Sequence, residues 1–459
     1  MAPLLFACGS NGSGQIAISH TNDVHNFTRC TFHPSLDSVL QEAKIVDLVS
    51  ASTHSLLLLN YPDTSDQGIN ILLGAGTNTL GQLGIRCALW DEVKPETAFK
   101  PVDLLGPLGL SHLDWEPVKI ASTWTTSFVV YKRIKHIDEM SSSSRVELDV
   151  DGEEVEVDYM VIASGSNDFG ELGILPGNSG EVDRSRPVMV DLELEKGNEV
   201  ETIKGGQRHC LAVISRGSGT GRVQRLVGWG ASRKGELDLD TVQWGASSIG
   251  SSKDGAKGKG KAAARPTAMA PTELAINLPD DSHIIDLALG ASHSLALLSN
   301  GEVSAWGNDS KGQINALHPP AVRQVKGIAA TWFGTYILKE DGHLWSQGSN
   351  NHYQLLRSHG YENELGQVPV VNGQIVEKLA AGSEHVIVST TTESEQEIRV
   401  GGWNEHGNLG LSDQMDRDLL SLVDIESLVR DAGKEGKVLV RGIWGGCAAT
   451  WVWLDAAPP

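Results

Sequence analysis

The chain has 459 residues, 51 of them glycine, and a formal net charge of −21. That charge argues against broad contact with a nucleic-acid backbone, which needs clustered Lys and Arg to displace counterions, and no run approaches the ~18 apolar residues of a membrane span. Glycine at about 11 %, against a usual ~7 % and without a Gly-X-Y period, points to many tight β-turns. Five cysteines (Cys8, Cys30, Cys87, Cys210, Cys447) are scattered without a CxxC pair. Residues 1–8 lack a basic start and a long apolar core, so no signal peptide is expected, and the thiols should be reduced in a cytoplasmic or nuclear protein.

Taken in order, the chain alternates two half-motifs. The first is an apolar strand ending in Gly, a polar turn, and often Gly-(Gln/Glu)-Leu. It occurs as LLFACGSNGSGQIAI from Leu4, NILLGAGTNTLGQLGI from Asn70, MVIASGSNDFGELGIL from Met160 and RLVGWGASRKGELDL from Arg225. Further copies are VSAWGNDSKGQINAL from Val303, LWSQGSNNHYQLL from Leu344 and RVGGWNEHGNLGL from Arg399. The second is an apolar strand, a small-residue corner, then His or Ser/Thr opening another apolar strand. Its seven copies start at Ile45, Val118, Val200, Ile284, Val325, Val376 and Val440.

The span Leu287 to Gln313 shows how the halves join. His293–Leu298 reads as a strand, Ser299-Asn300-Gly301 as the turn, and Glu302 to Trp306 as the returning strand; Asp341-Gly342 repeats the arrangement. Asn-Gly and Asp-Gly supply the positive φ that a tight hairpin needs. Each pair of halves therefore supplies four short strands, the content of one propeller blade. The fold class expected is all-β: a single seven-bladed β-propeller over 1–459, with inserted loops at about 133–157, 240–281 and 412–438. The stretch 253–265, KDGAKGKGKAAAR, reads as part of a solvated loop. Residues 412–438 predict a short amphipathic helix carrying Leu419, Leu422, Val423 and Leu428. The chain begins with an isolated first half and ends with an isolated second half. Leu4, Leu5 and Phe6 should thus pair with the strand Thr450 to Leu454 and bury Trp451 or Trp453.

Chemistry is sparse in the sequence. There is no G-x-S-x-G elbow, no phosphate loop and no H-E-x-x-H, so no catalytic residue, metal or cofactor is expected. The corner His recurs at His54, His209, His293 and His385, but Thr126, Gly334 and Ala449 fill the other places. A metal or acid–base role common to all blades is therefore excluded, and these histidines should lock turns by bonding a neighbouring backbone group. Tyr353 stands where other copies have Gly, so that turn is expected to differ. Trp306, Trp345 and Trp453 read as inter-blade packing. Trp124 and Trp332 sit at blade corners, Trp403 in a turn with Glu405 and His406, and Trp444 near the last corner. Tryptophan in propeller loops buries much area at low entropic cost. With Glu384 and His385, these residues form the candidate partner-binding set.

The alternating G-x-N-x-x-G-Q-L-G and G-x-x-H-S-L-A-L units resemble the regulator of chromosome condensation repeat family over essentially the whole chain. The copy GWGASRKGELD and the carboxy-terminal block GSEHVIVSTTT to WGGCAATWVWL are similar to a narrower group, the fungal alpha-tubulin suppressor or killer-toxin insensitivity proteins. That resemblance implies a non-catalytic propeller, cytoplasmic and nuclear, bound to a small zinc-ribbon diphthamide-biosynthesis protein. It would support Elongator-dependent wobble-uridine modification of tRNA and diphthamide formation, without direct contact to nucleic acid or membrane. The alternative is a guanine-nucleotide exchange factor for a Ran-type GTPase, or a chromatin- or microtubule-related scaffold. A basic amino-terminal tail for chromatin is missing from the sequence.

Overall fold

The computed structural model describes residues 3–457 except 63–67, 85–93, 135–157, 177–185, 218–220, 238–264, 277, 280, 318–321, 358–363, 372–373 and 393–394. Seven antiparallel sheets form around a channel, six of four strands and one of three among the described residues. Blades 1 to 6 open with the inner strands Lys44–Ser50, Trp115–Ser122, Asn198–Gly205, Ile284–Leu289, Val325–Ala330 and Ile375–Ala381. Blade 7 is composite, in the order Val24–Arg29, Leu4–Gly9, Ala449–Ala456, Val438–Gly446.

The composite blade closes the ring in the expected register: Leu4 faces Leu454, Leu5 faces Trp453 and Phe6 faces Val452. Trp451 is fully buried and Trp453 half-buried against the same cluster, since residues two apart share one face of the strand. Leu5 lies in a cluster with Trp451, Leu57, Leu59 and Leu73, so one core layer spans blades 7 and 1.

One glycine position is common to all seven blades. Gly9, Gly76, Gly165, Gly230, Gly307, Gly348 and Gly402 have φ from 95° to 132°. A Cβ on any of them would come within 2.2–2.7 Å of a carbonyl oxygen in the corner opposite. Positive φ and close approach both demand glycine there, which is why the first half-motif always ends in it.

Two expectations need correction. Residues 417–423 form a strand, Arg417–Val423, the outer strand of blade 6, paired with Gln396–Gly402 through an irregular register; Leu420 and Val423 are buried while Leu419 and Leu422 are exposed. The helix is confined to Ile425–Asp431, capped by Asp424 accepting from Ser427 N at 3.0 Å, and buries Ile425 and Val429. Within the second expected insertion, Ala268–Leu274 is the fourth strand of blade 3. Residues 135–157 and 238–264, the bulk of the two loops read from the sequence, lie outside the described residues.

Candidate functional site: the loop face of the propeller

The corner turns and the G-x-N-x-x-G loops lie on one face, and the Asn300-Gly301 and Asp341-Gly342 hairpins on the other. Side chains within these loops bond the loop backbone and fix its path. In blade 1, Asn78 Oδ1 accepts from Leu83 N and Gln82 Oε1 from Leu80 N, both at 2.8 Å. In blade 6, Asn404 Oδ1 accepts from Leu409 N at 2.9 Å. Tyr353 keeps this turn rather than altering it: its φ is 59°, against 77° for Gly81 in the equivalent place. Tyr353 N bonds Asn350 O just as Gly81 N bonds Asn78 O. Left-handed backbone in a bulky residue costs roughly 1–2 kcal/mol, so the Asn350 and Gln354 locks override local preference.

The corners are joined in a closed circuit of backbone hydrogen bonds from blade to blade. Ser52 N donates to Trp124 O (3.2 Å), Trp124 N to Gln207 O (3.0 Å), Gln207 N to Gly290 O (3.2 Å) and Ala291 N to Trp332 O (2.9 Å). Trp332 N donates to Ser383 O (2.7 Å), Ser383 N to Gly446 O (3.2 Å) and Cys447 N to Ser50 O (3.2 Å). This circuit surrounds the mouth of the channel.

The four corner histidines work one layer beneath. Their Nε2 atoms reach hydroxyls on the next blade: His54 to Ser127 (2.8 Å), His209 to Ser294 (2.9 Å), His293 to Thr335 (3.3 Å) and His385 to Thr450 (3.0 Å). They are inter-blade staples rather than turn locks, and a backbone acceptor occurs as a second partner, as with Ala449 O at 3.2 Å from His385. Three of the imidazoles pack over the glycine three residues earlier: a Cβ on Gly206, Gly290 or Gly382 would lie 2.5, 2.1 or 2.0 Å from the ring Cε1, while His54 has Ala51 in that place. Burial holds His54 and His209 down to about 3, and His293 and His385 to about 4.

Of the residues singled out from the sequence, Trp124 and Trp332 meet each other at the channel mouth, their ring centroids 5.5 Å apart and the planes tilted by 49°. Trp403 and Glu384 are joined by Trp403 N donating to Glu384 O at 3.0 Å. Trp403 is half-exposed between two imidazoles, 5.3 Å from His406 and 6.1 Å from His352. Each of those imidazoles faces a carboxylate of the following blade, His406 to Asp23 at 2.8 Å and His352 to Asp416 at 3.4 Å. Glu405 is exposed beside them.

The remaining three candidates lie elsewhere. His385 is fully buried and spent on Thr450, so a docking partner does not reach it. Glu384 is also buried; it accepts from Gln354 Nε2 at 2.8 Å, and desolvation lifts its carboxyl to about 7. Trp444 leaves the rim altogether. Its indole folds over Gly442, where a Cβ would clash at 2.2 Å, and Nε1 donates to Asp47 at 3.1 Å inside the channel.

The channel itself holds about 400 Å³ and carries the charged groups Asp47, Asp286 and Lys204. Burial raises both carboxyl groups from the usual range, and Lys204 opposes the rise in each. Sequence reading missed this group because three inner strands far apart in the chain contribute it. Missed too was His352, although it repeats the Asn-x-His spacing of His406 one blade earlier. Among the described residues no three His, Cys, Asp or Glu side chains come together as a metal site. No helix there is long and apolar enough to cross a membrane.

Comparison with known proteins agrees with this geometry. Residues 284–313 match the Regulator of chromosome condensation (RCC1) repeat. The chain is 24% identical to the secretion-regulating guanine nucleotide exchange factor of Bos taurus over 89% of its own length and 76% of the relative's. It is 24% identical to the ultraviolet-B receptor UVR8 of Arabidopsis thaliana over 56% of its own length, spanning about half of that protein, 52%. Among solved structures, human WBSCR16 superposes over 100% of both chains with a TM-score of 0.65 at 15% identity. Prp20p of Saccharomyces cerevisiae superposes over 100% of this chain and 93% of its own with a TM-score of 0.63 at 15% identity. The chain thus carries an RCC1 repeat at residues 284–313 and folds as a seven-bladed β-propeller similar to that of Prp20p.

Proposed function

We propose that the protein is a non-catalytic interaction propeller that docks a partner protein on its loop face. The observation that carries this reading is the Trp403 group: a half-exposed indole held between His352 and His406, with Tyr353 39% exposed and Glu405 beside it. Large aromatic anchors fixed in advance by their neighbours are what interface hot spots require. The partner we favour is a small zinc-ribbon diphthamide-biosynthesis protein, in support of Elongator-dependent tRNA modification and diphthamide synthesis in cytoplasm and nucleus. That preference rests on the resemblance of the blade 3 loop and the carboxy-terminal block to the killer-toxin insensitivity proteins.

A second reading, exchange on a Ran-type GTPase, is favoured by the exchange-factor relatives, which align over 89% of this chain, and by the shared fold of Prp20p, which binds Gsp1p and histones. Calorimetric titration of the purified chain with each partner class separates the two. Nanomolar-to-micromolar binding of the zinc-ribbon protein, weakened by roughly 2 kcal/mol or more in Trp403→Ala, supports the first. Accelerated nucleotide release from the GTPase without zinc-ribbon binding supports the second.

A further inference from the structure

Blade 3 is basic on its loop face, in a chain whose net charge is −21. The guanidinium of Arg208 lies 4.2 Å from the ring centroid of Phe169 and 5.6 Å from that of Trp124, one of the two tryptophans at the channel mouth. Ala231 N donates to Arg208 O at 2.8 Å, so the third-to-fourth-strand loop of blade 3 departs directly beside it. That loop carries Arg233 and Lys234, both exposed. The Arg265 guanidinium packs over the same loop: a Cβ on Gly235 would stand 3.4 Å from its central carbon. Four cations from three segments therefore gather on one side of the mouth.

The side chains of Arg208, Arg233 and Lys234 have no hydrogen bond or ion pair among the described residues. Aromatic stacking engages the face of a guanidinium and leaves its N–H fork in the plane, the arrangement that takes a carboxylate through two parallel bonds. The carboxylate electrostatically coupled to Arg208 is Glu171, which is buried and held up at about 7 by desolvation. Its carboxylate makes no ion pair with the Arg208 guanidinium among the described residues, and Phe169 N donates to it at 2.7 Å.

We propose that this patch receives an acidic segment of a partner protein, with one Asp or Glu carboxylate seated on the Arg208 fork beside Trp124 and adjoining carboxylates on Arg233 and Lys234. The inference rests on the loop face being the docking face and is independent of which partner docks there. An RNA strand fits less well. Four cations cover few phosphates, and the surrounding negative surface repels a polyanion that extends past them. Attraction to an acidic segment acts over about 8 Å at physiological ionic strength, which suits a short motif.

The test is titration of the full chain with acetylated, amidated hexaglutamate, read by tryptophan fluorescence and calorimetry at low and at physiological salt. Saturable binding that weakens with salt is expected. Arg208→Gln should lower affinity at least about tenfold, as for a hot-spot residue, and Arg208→Lys should restore only part because the fork is lost. Arg216→Gln, on the hairpin face, should change nothing. If Arg208→Gln melts early, the exposed double variant Arg233→Gln/Lys234→Gln carries the same test. Absence of saturable binding, affinity unaltered in both variants, or tighter binding of hexauridylate than of hexaglutamate would overturn the proposal. Failure of Trp403→Ala to weaken a folded partner bears only on the Trp403 anchor.

Discussion

Leu5→Ala probes the ring closure more sharply than any truncation, because it removes packing at the seam without changing the length of chain that must be ordered. Leu5 is fully buried, pairs with Trp453 across the seam, and packs with Trp451 of blade 7 and Leu57, Leu59 and Leu73 of blade 1. Truncating such a leucine costs about 2–5 kcal/mol, the larger figure applying where the surroundings cannot collapse into the gap. Strands pinned on both sides collapse poorly, and Leu4–Gly9 pairs with Val24–Arg29 as well as with Ala449–Ala456. The upper half of that range is therefore expected. Urea unfolding followed by tryptophan fluorescence measures it, with Leu113→Ala, 75% exposed, as a control expected within ~0.5 kcal/mol of wild type. Deleting residues 1–8 goes further, baring the edges of both partner strands, and should produce aggregates on size-exclusion chromatography. A Leu5→Ala protein as stable as the control, or a truncated protein that melts like wild type, would refute the account of closure.

Four further outcomes are expected. The buried imidazoles stay neutral in the fold but take up protons in the unfolded chain below about 6.5, so their contribution is complete above that pH and lost as pH falls toward 4. Glu171 and Glu384, held at about 7, run the other way: they keep a proton in the fold, and their contribution fades as pH rises through 7. Asp47 and Asp286, also raised by burial, run the same way as the glutamates, so the imidazole part is read by difference. His209→Asn should take up to about 1.4 kcal/mol per pH unit out of the pH dependence of stability between pH 5 and 6, and variant urea midpoints that follow pH as wild type does would contradict this. Tyr353→Gly should stabilise the protein by about 1 kcal/mol by relieving its left-handed backbone, measured by the same unfolding. Ser127→Ala should cost about 1–3 kcal/mol by leaving His54 Nε2 without its partner. In thiol labelling under native conditions Cys8, Cys30 and Cys210 should stay unreactive, since burial removes access and pushes their thiols up, whereas denaturation without reductant should release five.

The architecture was legible because its determinants are local and repeated. Asn300-Gly301 and Asp341-Gly342 fix which halves share a blade, and the glycine ending each first half is required by φ and by contact at once. The closure of the ring followed from two unpaired halves at the ends of the chain. What escaped was set by contacts between blades. Nothing near Trp444 in the sequence says that the absent side chain of Gly442 lets the indole drop toward Asp47. The staple partners of the histidines lie 42 to 85 residues away, at a position whose hydroxyl looks like ordinary strand polarity. At 417–423 the leucines are spaced as on a helix, and pairing with Gln396–Gly402 decided for the strand.

The circuit of seven corner bonds has a bearing on how such a surface changes over evolutionary time. Every donor and acceptor in it belongs to the main chain, so closure is indifferent to which side chain each corner displays. Here the seven equivalent positions hold Ser52, Trp124, Gln207, Ala291, Trp332, Ser383 and Cys447, five residue types that range from alanine to tryptophan. A mutation at a corner whose side chain makes no bond of its own, unlike Ser52 and the buried Ser383, alters what the mouth presents while leaving the seven bonds in place. The chemistry displayed at the mouth is thereby uncoupled from the closure of the ring, so single substitutions can change the one without passing through a form that lacks the other.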